Sequence, residues 1–132
     1  MIALFTKRHN PVTYHRLRPF AKLGLDYYWI KDGLYTKTTH LITNNAFYPV
    51  FQEEIKAQKE KIGFKFIFDV DDYWIIDPWN PVYKEMQGKN LQARIDTMKM
   101  ADVITCTHDR LATKIREINP TAEIVIVPNA LD

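Results

Sequence analysis

Six short apolar runs, separated by stretches of helical periodicity, constrain this chain more than any other feature. They are Ile2–Phe5, Asp26–Ile30, His40–Thr43, Phe64–Phe68, Val103–Cys106 and Ile124–Val127. The last is continuously β-branched, the pattern of a strand buried on both faces. Phe51, Ile55, Gln58 and Ile62 mark one stripe of a helix over Val50–Ile62, with Pro49 as a first-turn proline and Gly63 as its stop. A second helix is predicted over Asp109–Ile118, with Leu111, Ile115 and Ile118 inward, Thr107 or His108 as cap and Pro120 beyond its end. Leu91, Ile95 and Met98 give a third periodic face over Lys89–Met100, and Tyr14–Leu23 reads as a helix that starts late or kinks at Pro19. Strands alternating with helices predict a parallel sheet covered on both sides. The expectation is an α/β, Rossmann-like three-layer sandwich with a mostly parallel sheet of about six strands, formed by residues 1–132 as a single domain.

Composition narrows the function classes. The 132 residues are 46% hydrophobic and 26% charged, enough for a core and unlike a disordered chain. No apolar run approaches the roughly 18 residues of a spanning helix. The single cysteine, Cys106, excludes a disulfide framework and a cysteine-based zinc knuckle, and fits a reducing compartment. The opening MIALFTKRHNP carries its charges after its apolar run, the reverse of a signal peptide, so a cytoplasmic address is expected. Residues 1–68 carry 11 Lys/Arg against 5 Asp/Glu, whereas residues 69–132 carry 7 against 11. A basic front half suits phosphates, anionic headgroups or nucleic acid, or is an uneven solvated surface.

Ligands of open parallel sheets bind outside the carboxyl ends of the strands. After the first run comes Thr6-Lys7-Arg8-His9-Asn10-Pro11, leading to His15, Arg16 and Arg18, a cationic stretch without an acid. It reads as a phosphate-contacting loop or as a solvated basic loop. Neither GxGxxG nor GxxxxGK[ST] occurs, so a dinucleotide fingerprint and a P-loop are unsupported. Thr43-Asn44-Asn45-Ala46-Phe47-Tyr48-Pro49 follows the third run and either lines the same cleft or is ordinary turn chemistry. Thr107 and His108 follow the fifth, where a histidine is either a helix cap or a base.

The sharpest signal follows the fourth run: Asp69-Val70-Asp71-Asp72-Tyr73-Trp74. Three carboxylates in four positions repel one another unless a cation, a hydrogen-bonded substrate or raised pKa values relieve them. An Asp-based phosphatase pair, a metal-gripping Asp-x-Asp of a sugar transferase and the polar rim of an acceptor cleft all fit such a cluster. The structural reading has Asp69 or Asp72 capping a turn while Tyr73, Trp74 and Trp79 pack as a lid. The irregular stretch Asp69–Gly88 is long enough to suggest function.

Taken in order, several segments carry a resemblance. They are Gly63 through Asp72, then Ala101-Asp102-Val103-Ile104-Thr105-Cys106-Thr107 with Leu111-Ala112, then Val127-Pro128-Asn129-Ala130-Leu131-Asp132. Upstream stand Tyr14-His15-Arg16-Leu17 with Pro19, and Tyr27-Tyr28-Trp29-Ile30. This succession resembles the N-terminal half of GT-B fold glycosyltransferases of the group-1/family-4-like set, although the glycine-rich turn many members carry after the first strand is replaced by His-Asn-Pro. The resemblance implies an acceptor-side domain facing a donor-binding domain across a cleft. It implies sugar transfer from a nucleotide-sugar, itself a substrate, to a glycan or lipid-linked acceptor in cell-envelope polysaccharide biosynthesis, with no cofactor and no metal.

Carried onto this chain, substrate contacts fall on His15, Arg16, Arg18, Asp69, Asp71, Asp72, Thr107 and Asn129. Catalytic residues stay unassigned, with His108 and Asp71 as candidates. The implied partners are the C-terminal donor-binding domain, the acceptor and, through exposed cleft surface, a second copy; peripheral contact with the inner membrane face is a further expectation, and nucleic acid is not expected. The pattern ends at Asp132, where the family's linker begins, so these residues alone are expected to be inactive. Two alternatives remain: a non-catalytic nucleotide- or phosphate-binding Rossmann module, and an interaction domain whose Tyr73–Tyr83 segment docks a partner with Trp74 and Trp79 buried between copies.

Overall fold

A computed structural model of the chain describes residues 2–5, 16, 26–27, 37–44 and 46–129. Its strands are β1 (Ile2–Phe5), β2 (Asp26–Tyr27), β3 (His40–Thr43), β4 (Lys65–Val70), β5 (Val103–Cys106) and β6 (Glu123–Ile126). Its helices are α1 (Pro49–Ile62), α2 (Lys89–Met100) and α3 (Asp109–Ile118). Every strand pairing is parallel, and the order across the sheet is β2-β1-β3-β4-β5-β6, with β2 a two-residue edge. The direction of winding reverses between β1 and β3, the point where doubly wound sheets open a crevice at their carboxyl ends. The stretch predicted as a helix over Tyr14–Leu23 lies outside the described residues apart from Arg16, as does the basic loop at 6–11.

Register sorts the strand residues onto two faces. Leu41 pairs with Phe66, Phe68 with Ile104, and Val70 with Cys106. All six are buried and join one core with Phe47, Ile55 of α1, Met98 of α2, and Leu111, Ala112 and Ile115 of α3. Phe66 and Phe68 stack with centroids 6.5 Å apart, and Phe47 leans on Phe66 at 5.8 Å. Alternation along β4 therefore turns Ile67 and Asp69 to the opposite face.

The helix ends follow local chemistry. Pro49 opens α1, whose first free amides, those of Phe51 and Gln52, donate to the Tyr48 carbonyl at 2.9 and 3.0 Å. Gly63 ends it at φ 80°, a left-handed conformation that favours glycine, and returns its amide to Lys59 O. The inward stripes are rotated from those the periodicity suggests. In α1, Phe51 is 42% exposed while Gln52 is buried, because the Gln52 amide donates to the carbonyl of Phe47 at 2.6 Å. In α2 the buried positions are Ala93, Thr97 and Met98, with Leu91 and Ile95 only half-buried. Thr97 Oγ1 both accepts from Phe47 N at 2.8 Å and donates to Ala93 O at 2.7 Å, which holds small residues inward.

Two further expectations are corrected. β4 runs on to Val70, so Asp69 lies inside the strand and not in the loop after it. The β-branched run of β6 lies at the sheet edge, with Val125, Ile126 and Val127 substantially exposed, because no described strand pairs with its outer side. Among the described residues, no helix is long and apolar enough to cross a membrane.

The amino edge of the sheet is fastened by polar residues. Asp102 accepts Phe66 N at 2.8 Å through its carboxylate and pairs with Lys59 at 2.7 Å, tying α1, β4 and β5. Buried Asn119 donates to the carbonyls of Met98 and Ala101 at 2.9 and 3.1 Å and accepts from Thr121 N and Ala122 N at 3.2 and 3.1 Å. It joins the ends of α2 and α3 to the approach to β6. Asn119→Ala is expected to lower stability by about 1–3 kcal/mol, since it strands several buried groups at once. Asn119→Asp should not restore it, because a carboxylate cannot donate to the two carbonyls; urea midpoints of the three proteins check both statements.

Candidate functional site

The opposite, carboxyl edge gathers the polar residues that the sequence offers for chemistry. Asp69 emerges on the face away from Phe68 and is only 3% exposed. A lone carboxylate cannot remain charged there without partners. Arg16 supplies them: its Nε and Nη2 donate to the two Asp69 oxygens at 2.6 and 2.7 Å, a bidentate fork. Thr105, opposite Asp69 in the β4–β5 register, donates its hydroxyl to the same carboxylate. Arg16 Nη1 donates to Asn129 Oδ1 at 2.6 Å and reaches Val127 O at 3.3 Å. The bond to Asp69 pushes the Arg16 guanidinium above its ordinary value, against the opposing effect of partial burial. The cation offered by the sequence to a ligand phosphate is thus committed to acceptors of the chain itself.

Beyond the strand, Asp71 and Asp72 form the rim. Burial, then the charge of Asp72, raises the Asp71 pKa above its ordinary value, with a bond from its own backbone amide and then the charge of Arg94 drawing it back only in part. Thr107 donates its hydroxyl to the Asp71 carbonyl at 3.3 Å, anchoring the rim to the end of β5. Asp72 is exposed. His108 is the cap of α3: its Nδ1 accepts from Leu111 N at 3.2 Å, which leaves Nε2 as the ring's donor in the neutral form. Beside it an apolar groove of about 430 Å³ is lined by Tyr73, His108, Arg110, Leu111, Thr113 and Lys114. Cys106 is buried, its thiol pushed up by desolvation, and is no exposed nucleophile.

Arg16, Asp69, Asp71, Thr107, His108 and Asn129 therefore meet along one edge, while His15 and Arg18 lie outside the described residues. The aromatic lid is corrected in part. Trp74 is 3% exposed and belongs to the core, with its ring 5.1 Å from that of Tyr73, whereas Trp79 is 81% exposed. Two contributors escape sequence reading. Thr105 shares the face of Asp69 by the two-residue alternation of β5, but its partner is fixed only by strand register. Arg94 sits next to Ala93 on α2 and faces Asp71 with Nη2 at 3.8 Å, a contact that no spacing announces. Among the described residues no group of three or more His, Cys, Asp or Glu is placed to hold a metal ion. No protein-family model matches the chain, and no curated protein matches its sequence.

Removing one member of the Arg16–Asp69 pair leaves the other charge buried and unpaired. Arg16→Met or Asp69→Asn is expected to cost about 3 kcal/mol in denaturant unfolding, and the double change Arg16→Met with Asp69→Leu less than either.

Asp71 behaves in the opposite sense. Its folded pKa is raised, so the folded state holds its proton to higher pH than the unfolded chain does. Stability should fall as pH rises from the ordinary carboxylate range through the raised value, and stay lowered above it. Asp71→Asn should flatten that part of the profile, as read from melting midpoints across acidic to neutral pH.

Proposed function

We propose that the chain is the Rossmann-like, three-layer acceptor-side domain of a glycosyltransferase, which presents an acceptor hydroxyl to a nucleotide-sugar held by a separate donor-binding domain. The observation that carries this reading is the meeting made by Arg16. One guanidinium joins residues 53 and 113 positions away, Asp69 and Asn129. These three come from three of the five segments on which the resemblance rests, and they converge at the carboxyl edge of an all-parallel sheet, where such domains place their cleft.

In this reading Arg16 and Asp69 build the cleft floor, and Asp71 and Asp72 form the rim that accepts hydrogen bonds from acceptor hydroxyls. Charge developing on the leaving diphosphate is met by groups of the donor domain, in keeping with electrostatic stabilisation of glycosyl transfer. On this reading residues 1–132 are inactive without that domain. An interaction role finds support in exposed Trp79 and Ile75, although Trp74, buried in its own core, is not free to join them. A phosphate-binding module is disfavoured by the commitment of Arg16.

The test uses the full gene product, incubated with nucleotide-sugars and glycan or lipid-linked acceptors. Sugar transfer is expected, and Asp71→Asn should raise the acceptor KM about tenfold, the worth of one charge-assisted hydrogen bond, with the donor KM unchanged. A raised donor KM with unchanged acceptor use would remove the rim role. Tight nucleotide binding by residues 1–132 alone, measured by calorimetry, would move the reading to the phosphate-binding module.

A further inference from the structure

Arg94 faces the rim at Asp71, and its surroundings set it apart from Arg16. Its side chain is only 16% exposed, yet its nearest counter-charge, Asp71 Oδ1, lies 3.8 Å from Nη2, beyond hydrogen-bond length. Its Nε is buried with no hydrogen-bond partner. A guanidinium carries five donors in a fixed fork, and at Arg16 each nitrogen finds an acceptor. At Arg94 none does. Asp71 is in a matching state: its carboxylate takes a bond from its own backbone amide, but among the described residues no side chain donates to it. A donor short of acceptors thus faces an acceptor short of donors, across a gap too long for a direct bond.

The chemistry of that gap selects its ligand. A hydroxyl group both donates and accepts, so one hydroxyl, or two on adjacent carbons, satisfies Asp71 and Arg94 together. The local charge decides against the alternatives. Among the described residues here, Arg94, Asp71 and Asp72 sum to one negative charge and the Arg16–Asp69 pair adds none, which disfavours a phosphate or carboxylate. An amine or metal cation would satisfy Asp71 but be repelled by Arg94. Burial, which raises Asp71 and lowers Arg94, adds that both charges lack solvation here and gain from a new partner.

We propose that Arg94 and Asp71 form a two-point receptor for the hydroxyls of a neutral sugar ring. The proposal rests on the transferase reading and deepens it: the acceptor is uncharged at the ring it presents to this edge, and Arg94 is an acceptor-binding residue.

The experiment titrates the 132-residue chain, labelled with ¹⁵N-arginine and ¹³C-aspartate, with methyl glycosides of neutral hexoses. Methyl glucuronide, inorganic phosphate and magnesium chloride serve as the contrasting probes. The expected result is a saturable shift of both the Arg94 Nε–H and the Asp71 carboxyl signals with at least one neutral glycoside, and none with the three ionic probes. Arg94→Gln should weaken that binding about tenfold and leave the urea midpoint unchanged or higher, since an under-partnered buried charge does not hold a fold together. Arg94→Lys should also lose binding, because it removes the fork.

No shift with any neutral glycoside overturns the proposal, as does a shift produced by phosphate or magnesium alone. A large fall in the midpoint of Arg94→Gln overturns it too, by making the guanidinium structural. The two readings fail separately. Glycoside binding here without sugar transfer by the full gene product would sink the transferase and spare the receptor. Transfer unchanged by Arg94→Gln would do the reverse.

Discussion

A carboxylate placed inside a central parallel strand obliges the rest of the chain to bring it a cation. Asp69 sits one residue before the end of β4, just past the ladder to β3 and paired with Thr105 of β5, on the face opposite the phenylalanine core. Its charge is tolerable only because Arg16 meets it with two short bonds and Thr105 adds a third. The same guanidinium then reaches Asn129 and the Val127 carbonyl. The bonds of Arg16 thereby tie the end of β4 to Val127 and Asn129 after β6. The carboxyl edge of the sheet takes its shape from that arrangement.

The two edges of the sheet divide their labour. At the amino edge, Asp102 and Asn119 have close partners for nearly every polar atom, and these bonds join helices to strands. At the carboxyl edge satisfaction is uneven. Each guanidinium nitrogen of Arg16 has an acceptor, whereas Asp71 and Arg94 are loosely paired and poorly solvated. Fully bonded polar groups specify a fold, and incompletely bonded ones are where a ligand gains most. The contrast between two arginines on one molecule locates the candidate site more sharply than the acidic cluster does.

Much of the architecture was legible from periodicity. β1, β3, β5, α2 and α3 fall where the apolar runs and caps place them, and α1 starts and stops at its proline and glycine, because these signals are local: an apolar run, a capping histidine, a proline at a first turn, a glycine in a left-handed stop. The failures are also physical. Phe51 is exposed and Gln52 buried because a side-chain amide that can reach the Phe47 carbonyl outbids hydrophobicity for the inward position. Ile124–Val127 reads as an interior strand but lies at an edge, since composition reports burial preference and not the number of neighbours.

For the site, the chain by itself determined which residues could carry chemistry: acids after the fourth strand, a histidine at a helix start, an asparagine after the sixth. The placement of chemical groups at strand ends follows from the parallel topology that alternation imposes. Tertiary structure alone decided their roles. It drew Arg16 away from ligand phosphate and onto Asp69, made His108 a helix cap, buried Trp74, and set Arg94 across from Asp71. The reason is one of range. Helix caps and strand faces depend on neighbours a few residues away, whereas the charge state and partners of a buried group depend on whatever distant segment folding brings within a few ångströms.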